Sequence, residues 1–268
     1  MGHKRKRHQK VSGFIEGLQS DGRYSFSFEE LARAVDASGI ALQSAIRRLK
    51  KKGHLVSPHR EFFVIVPAEY RGIGAPPPSW FIDELMAFLS RPYYVGLLSA
   101  AAVHGAAHQH PQVFQVATSL PTASMIAGSG RIEFFRKRRI ERVATMRVKT
   151  DTGYMTVSTP EATVFDLIRH AHASGHLSNV ATVLAELGEA IDPEKLVSSA
   201  ALASRPEVQR AGYLLQLVGL ESLAAPLVEL VASGRKRCAL LRPDVSAEGM
   251  PVDKRWNLVI NEDVEPDL

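Results

Sequence analysis

The sequence predicts an α+β protein: an N-terminal winged helix-turn-helix module followed by a larger C-terminal α+β domain, whose small, mostly antiparallel sheet is surrounded by helices. Three observations predict it. Before residue 53 apolar residues recur at helical spacing in short segments, and two strand-like runs follow. Three consecutive prolines in Ala75-Pro76-Pro77-Pro78 then interrupt the pattern with a stiff, extended stretch. Beyond them, strand and turn signals give way to a helical pattern from Leu177 to about Ala232. The expected division is a first domain over 1–74, a linker over 75–78 and a second domain over 79–268.

Each element has a local reason. Val11–Gln19 reads as a short helix. Ser27-Phe28-Glu29-Glu30 has capping-box spacing, with Leu31 and Val35 on one face of the helix that follows. Asp36-Ala37-Ser38-Gly39 breaks the pattern. A second helix, from about Ile40 to Lys52, buries Leu42, Ala45, Ile46 and Leu49 as one stripe and ends at Gly53. His54–Ser57 and Glu61–Val66 are expected strands around Pro58-His59-Arg60. After the prolines, Ser79 is placed to cap a helix over Trp80–Leu89, and Pro92 to open another over Tyr93–His104. Val113–Thr118 and Arg131–Phe135 read as strands. Val143–Lys149 and Tyr154–Val157 flank a hairpin turn at Thr150-Asp151-Thr152-Gly153. Thr159-Pro160-Glu161 is a helix start: a cap, a proline in the first turn, then an acid favoured by the dipole. Helical breaks fall near Asp192-Pro193, Arg205-Pro206 and Gly219. A last strand is expected over Trp256–Ile260.

Composition narrows the partners. The 268 residues are 45% hydrophobic and 23% charged, ordinary for a soluble protein large enough for a core without metal or disulfide staples. The single cysteine, Cys238, permits no internal disulfide and fits a reducing, cytoplasmic setting. No run of about 18 apolar residues predicts a membrane span. The opening MGHKRKRHQK lacks the apolar stretch of a secretory signal. The net charge of +5 is uneven: residues 1–74 hold fourteen Lys and Arg against seven Asp and Glu, while the remainder is slightly acidic. A basic module on a near-neutral body points to a polyanion. Duplex DNA comes first; a membrane surface is disfavoured because no broad aromatic or leucine-rich face accompanies the charge.

The candidate DNA-reading residues lie outside the buried stripe of the second helix. Arg47 and Arg48 offer bidentate donors for guanine edges or phosphate, Gln43 suits adenine, and Ser44 a base or phosphate. Lys51 extends that face, and Arg60 at the wing tip reaches for phosphate or the minor groove. Lys4-Arg5-Lys6-Arg7 resembles a basic arm that binds phosphate without sequence preference. The plainer alternatives are a solvated helix face, a solvated tail and a winged helix used for protein contact. A second basic surface is expected at Arg131, Arg136, Lys137, Arg138, Arg139 and Arg142, continued by Arg147 and Lys149, against only Glu133 and Glu141. Its alternative reading is a sheet edge guarded by charge. The histidines His104, His108, His110, His170, His172 and His176 include a four-residue spacing, but the stretch reads His-Gly-Ala-Ala-His without the metalloprotease glutamate, so no metal is expected. Gly128-Ser129-Gly130-Arg131 reads as a turn rather than a phosphate loop, no Gly-x-Ser-x-Gly elbow occurs, and Glu161 and Asp166 do not pair on one helix face. No catalytic residue and no cofactor is expected.

Four blocks carry a family resemblance: Tyr93–Thr118 (YYVGLLSAAAVHGAAHQHPQVFQVAT), Ser158–His170 (STPEATVFDLIRH), Arg210–Gly219 (RAGYLLQLVG) and Asp253–Asn261 (DKRWNLVIN). In order and content they resemble the AbiEi-type antitoxins, and the N-terminal pattern resembles that family's winged helix. The resemblance implies a non-enzymatic antitoxin of a type IV toxin–antitoxin system, of the abortive-infection, phage-defence kind. It implies a nucleotidyltransferase-like toxin as functional partner, without a stable complex. It also implies repression of the shared promoter through an inverted repeat, by a protein monomeric in solution and paired on DNA. Leu97, Leu98, Val164, Leu167, Leu214 and Leu217 read as core. Ser99, His104, Glu161, Asp166, Arg210 and Trp256 are the polar or unusual members of the blocks. The alternatives are a stand-alone ligand-sensing transcription factor and an enzyme that reverses the toxin's modification.

Overall fold

The computed structural model describes residues 10–106, 112–233 and 237–267. The chain packs as two compact units. The first comprises the chain up to Tyr93 together with 112–138 and 147–156; the second comprises the segment from Tyr94, residues 139–146 and the chain from Val157 onward.

The first unit opens with α1 (Val11–Ser20), β1 (Ser25–Ser27), α2 (Phe28–Ala34), α3 (Gly39–Lys51), β2 (Leu55–His59) and β3 (Phe62–Ile65). Hydroxyl caps start the second and third helices. Ser27 Oγ accepts from Glu30 N at 3.1 Å and Ser38 Oγ from Ala41 N at 3.3 Å. The strands form an antiparallel sheet in the order β1-β3-β2, with Phe26 opposite Phe63 and Leu55 opposite Ile65. Between sheet and helices lies one apolar cluster that includes Phe14, Leu18, Phe26, Leu31, Leu42, Ile46 and Phe63. The edge-on contact of Phe14 with Phe26 has ring centroids 5.3 Å apart, a favoured aromatic geometry.

This unit does not stop at the prolines. Ala75 is buried, and Gly74 lies so close to Gly128 that a Cβ on Gly128 would come within 2.5 Å of the Gly74 carbonyl carbon. Trp80 packs against Tyr24 and Tyr70, with centroids at 4.9 and 5.2 Å. From α4 (Ile82–Phe88), Glu84 accepts hydrogen bonds from Ser25 Oγ and Arg23 Nε. Pro76–Pro78 is thus an extended stretch inside a packed unit, because stiffness in a chain does not prevent its flanks from packing. Ser79 lies in a 3₁₀ turn, Pro78–Trp80, and α4 begins after Phe81 without a side-chain cap, so the expected Ser79 cap is not formed.

Tyr93–His104 is not one helix. It forms β4 (Tyr93–Val95) and then α5 (Leu97–Val103). Two tyrosines and a valine suit a strand, and Gly96 takes an extended conformation between them and the alanine-rich turn. The following strands are β5 (Val113–Thr118), β6 (Met125–Ala127), β7 (Gly130–Arg136), β8 (Thr145–Thr150) and β9 (Gly153–Ser158), in the sheet order β6-β7-β5-β4-β9-β8. This sheet is mixed rather than mostly antiparallel. β5 runs parallel to β7 from Val113↔Arg131 to Thr118↔Arg136, β4 parallel to β9 at Val95↔Val157, and β6 antiparallel to β7. Such pairing is non-local, and periodicity within a strand carries no signal for its direction.

In the second unit, α6 (Pro160–Arg169) is buried from Glu161 to Ile168 and is surrounded by α7 (His176–Leu187), α8 (Pro193–Ala200) and α9 (Arg205–Leu217); α10 (Glu221–Ala232) packs on α9. Thr159 caps α6 by accepting from Ala162 N at 3.4 Å. A small sheet of β10 (Ala239–Leu240), β12 (Leu258–Val259) and β11 (Val252–Asp253) follows, parallel between the first two and antiparallel between the last two. Among the described residues no helix is long and apolar enough to cross a membrane.

Candidate nucleic-acid interface

Helix α3 separates its faces cleanly. Leu42 and Ile46 are buried, whereas Gln43, Ser44, Arg47, Arg48 and Lys51 are exposed. The helix carries no acidic residue, and Arg47, Arg48, Lys50 and Lys51 form no ion pair among the described residues. The expected face exists, but its members do not all look the same way. Gln43, Arg47 and Lys50 line a groove of about 370 Å³, closed on the other side by Arg60, Glu61 and Phe63 of the β2–β3 turn and strand. Ser44, Arg48 and Lys51 lie outside it. Arg60 is almost fully exposed, with its Nε 3.9 Å from Glu61, and Glu61 holds the turn at φ +63°.

Sequence reasoning passed over two members of this interface. Lys50 shares the groove with Arg47. Ile40, at the start of α3, is 80% exposed, the most exposed large apolar side chain among the described residues. It stands three, four and seven residues before Gln43, Ser44 and Arg47, hence on their face. In sequence it reads only as the start of the helix, and its position puts it off the buried stripe. Lys4, Arg5, Lys6 and Arg7 lie outside the described residues.

The second basic run is less uniform than its sequence. Arg136, Arg138, Arg139 and Arg142 are exposed, and Arg131 pairs with Glu133 at 2.8 Å. Lys137 is buried; its backbone N–H donates to Thr118 O at 2.8 Å, in line with the end of the β5–β7 ladder. It lies where the chain leaves β7 and ties back to β5, and is therefore not part of the exposed patch. Arg131–Arg138 belong to the first unit, Arg139 and Arg142 to the second.

The polar members of the sequence blocks have structural partners within the second unit. Asp166, buried, accepts from Tyr94 Oη at 2.7 Å; burial and then the Asp166 charge push the tyrosine hydroxyl far above its ordinary range. Buried Glu161 accepts from Asp192 N at 3.1 Å, ahead of α8. His104 Nε2 lies 2.7 Å from Ser158 O. Trp256, fully buried, donates from Nε1 to Gln216 Oε1 at 2.8 Å. Arg169 reaches Glu207 through Nε and Nη2 at 2.7 and 3.0 Å. Burial raises the Glu207 pKa, but Arg169 and the Ser204 backbone N–H outweigh it and hold the carboxyl below its usual value. Among the described residues no three His, Cys, Asp or Glu side chains gather as metal ligands; His108 and His110 lie outside them.

Residues 94–217, which include α5, α6 and α9, match the family model of the AbiEi antitoxin C-terminal domain. The fold is similar to the crystal structure of the RV2827C protein from Mycobacterium tuberculosis, with a TM-score of 0.68 at 18% identity over 93% of this chain and 90% of that one. No curated protein sequence matches the chain.

Proposed function

We propose that residues 10–66 form a winged helix-turn-helix that binds duplex DNA, and that the chain is a cytoplasmic autorepressor as well as an antitoxin, opposing a nucleotidyltransferase-like toxin without catalytic turnover. The observation that carries the DNA reading is the exposed face of α3, whose cations form no ion pair among the described residues and stand beside Arg60 across an open groove. In a helix-turn-helix the second helix enters the major groove, and α2 and α3 with the β2–β3 wing follow that order. One such module reads little sequence, so the operator is an inverted repeat bound by two copies of a chain monomeric in solution.

Mobility shifts of the full chain on its own promoter test this. Replacing Arg47 and Arg48 by alanine removes specific binding, at about 1–3 kcal/mol for each base edge no longer read. Replacing Lys4–Arg7 weakens binding to all sequences and flattens the salt dependence. A double alanine variant that shifts the promoter as the wild type does refutes the α3 assignment. The exposed arginines of the second basic run are the leading surface for antitoxicity. Reversing Arg136, Arg138 and Arg139 to glutamate, with Lys137 left in place, abolishes rescue of growth from the toxin while the promoter shift persists. Rescue by that folded variant removes the patch from the mechanism.

A further inference from the structure

In the second unit a cavity of about 230 Å³ is walled by the end of α6, the turn after it, the start of α7, the middle of α9 and the segment following β10. Three arginines line it, and two of them are neutralised within the protein. Arg169 is held by Glu207. Arg242 is held by Asp244, at 3.1 and 3.3 Å, and by Glu262 at 3.5 Å. Arg210 differs. Its Nε donates to Leu240 O at 3.0 Å, and among the described residues its Nη atoms have no acceptor and it forms no ion pair. The guanidinium is partly buried, and burial lowers its pKa against the opposing pull of Glu207. It is a cation partly drawn from water that forms no ion pair among the described residues, an arrangement that a bound anion completes.

The rest of the wall carries the same sign of preference. The rings of His172 and His176 stand edge to face, with centroids 5.4 Å apart, and both line the cavity. α7 begins at His176 with no side-chain cap and no acid in its first turn, so the positive end of its dipole adds to Arg210. His176 is held at φ +67° directly after Gly175 at φ +77°, a left-handed pair that places the imidazole at the start of the helix. These donors come from three separate segments. A planar carboxylate offers acceptors in one plane only, whereas a tetrahedral phosphate offers them in all those directions. Asp244 and Glu262 are the opposing charges on the wall; Arg242 engages Asp244 and the Oε1 atom of Glu262, while Glu262 Oε2 has no hydrogen-bond partner among the described residues.

We propose that this cavity is a binding site for a phosphate group, held by the Nη atoms of Arg210 with His172 and His176 beside it. The site lies outside the α3 interface and does not depend on DNA binding. Free phosphate and the phosphate of a mononucleotide share this chemistry.

Calorimetric titration of the full chain with inorganic phosphate, and separately with adenosine monophosphate, tests the proposal. One phosphate binds per chain. Arg210→Gln weakens it by about ten- to a hundredfold, the scale of a pair of charge-assisted hydrogen bonds removed together. Lys254→Gln, an exposed cation elsewhere on the unit, leaves it unchanged. Tighter binding of the nucleotide assigns the site to a nucleotide, and equal binding assigns it to free phosphate. If Arg210→Gln fails to fold by circular dichroism, Arg210→Lys keeps the charge without the planar fork and weakens binding in the same direction. Absence of binding by both ligands, or unchanged affinity in the folded Arg210 variant, overturns the proposal.

Discussion

Gly212 is the position where one methyl group decides the fate of the second unit. It sits in the middle of α9, where alanine is ordinarily better than glycine by about 1 kcal/mol. Here a Cβ would lie 2.0, 2.2 and 2.4 Å from Cζ3, Cη2 and Cε3 of Trp256. Carbon atoms rest about 3.5–4.0 Å apart, so the indole must retreat by roughly 1.5 Å. Trp256 is fully buried, and its Nε1 is held by Gln216 one turn along the same helix. Overpacking costs about 1–3 kcal/mol. An indole N–H pulled from its acceptor in the interior costs about 1–3 kcal/mol more. Less the gain in helix propensity, Gly212→Ala destabilises by about 3 kcal/mol, or roughly 6–12 °C in Tm for a unit of this size. Thermal melts followed by near-ultraviolet circular dichroism read the tryptophan packing directly. Trp256→Phe, which removes the clashing ring edge, recovers part of the loss in the double variant although it is destabilising alone. A Gly212→Ala protein that melts at or above the wild-type temperature refutes the close approach.

Two further outcomes follow from named side chains. Arg169→Gln leaves the nearly buried Glu207 carboxylate without its cation, at a cost of about 3 kcal/mol at neutral pH, the low end for a buried pair because Arg169 is partly exposed. The native Glu207 pKa is depressed below its ordinary 4.5, so the pair's contribution is complete above about pH 4.5 and is lost as the pH falls through the native value. The gap in Tm between variant and wild type therefore narrows in acid, and a gap independent of pH refutes the assignment. For Ile40, exposed on the side of α3 proposed to face DNA, the expected target is a thymine methyl group. Replacing the operator thymines by deoxyuridine weakens wild-type binding several-fold and leaves Ile40→Ala unaffected; equal sensitivity of both proteins excludes the contact.

What could be read from the sequence was what local chemistry specifies. The caps at Ser27 and Thr159 and the buried stripe of α3 each depend on residues within two turns of one another, and each forms as expected. Several of the misreadings involve partners far along the chain. The proline run marks stiffness, but whether Ala75 is buried depends on Gly128, and whether Trp80 is anchored depends on Tyr24. Lys137 reads as one more cation in a basic run, yet it is buried where its N–H joins Thr118, a residue 19 positions earlier. Arg210, for which the sequence names no partner, depends on a contact of the same kind. Glu207 precedes it by three residues on α9, a spacing that allows an intrahelical ion pair. That carboxylate is instead taken by Arg169, from α6, with Ser204 N as its second donor. The competition that frees the Arg210 guanidinium is won by a residue 41 positions earlier, and no pattern within α9 records it. A charge left over in this way is visible only when every carboxylate around it has been assigned in three dimensions, which is why the cavity beside Arg210, rather than the basic runs obvious in the sequence, is the feature the fold adds.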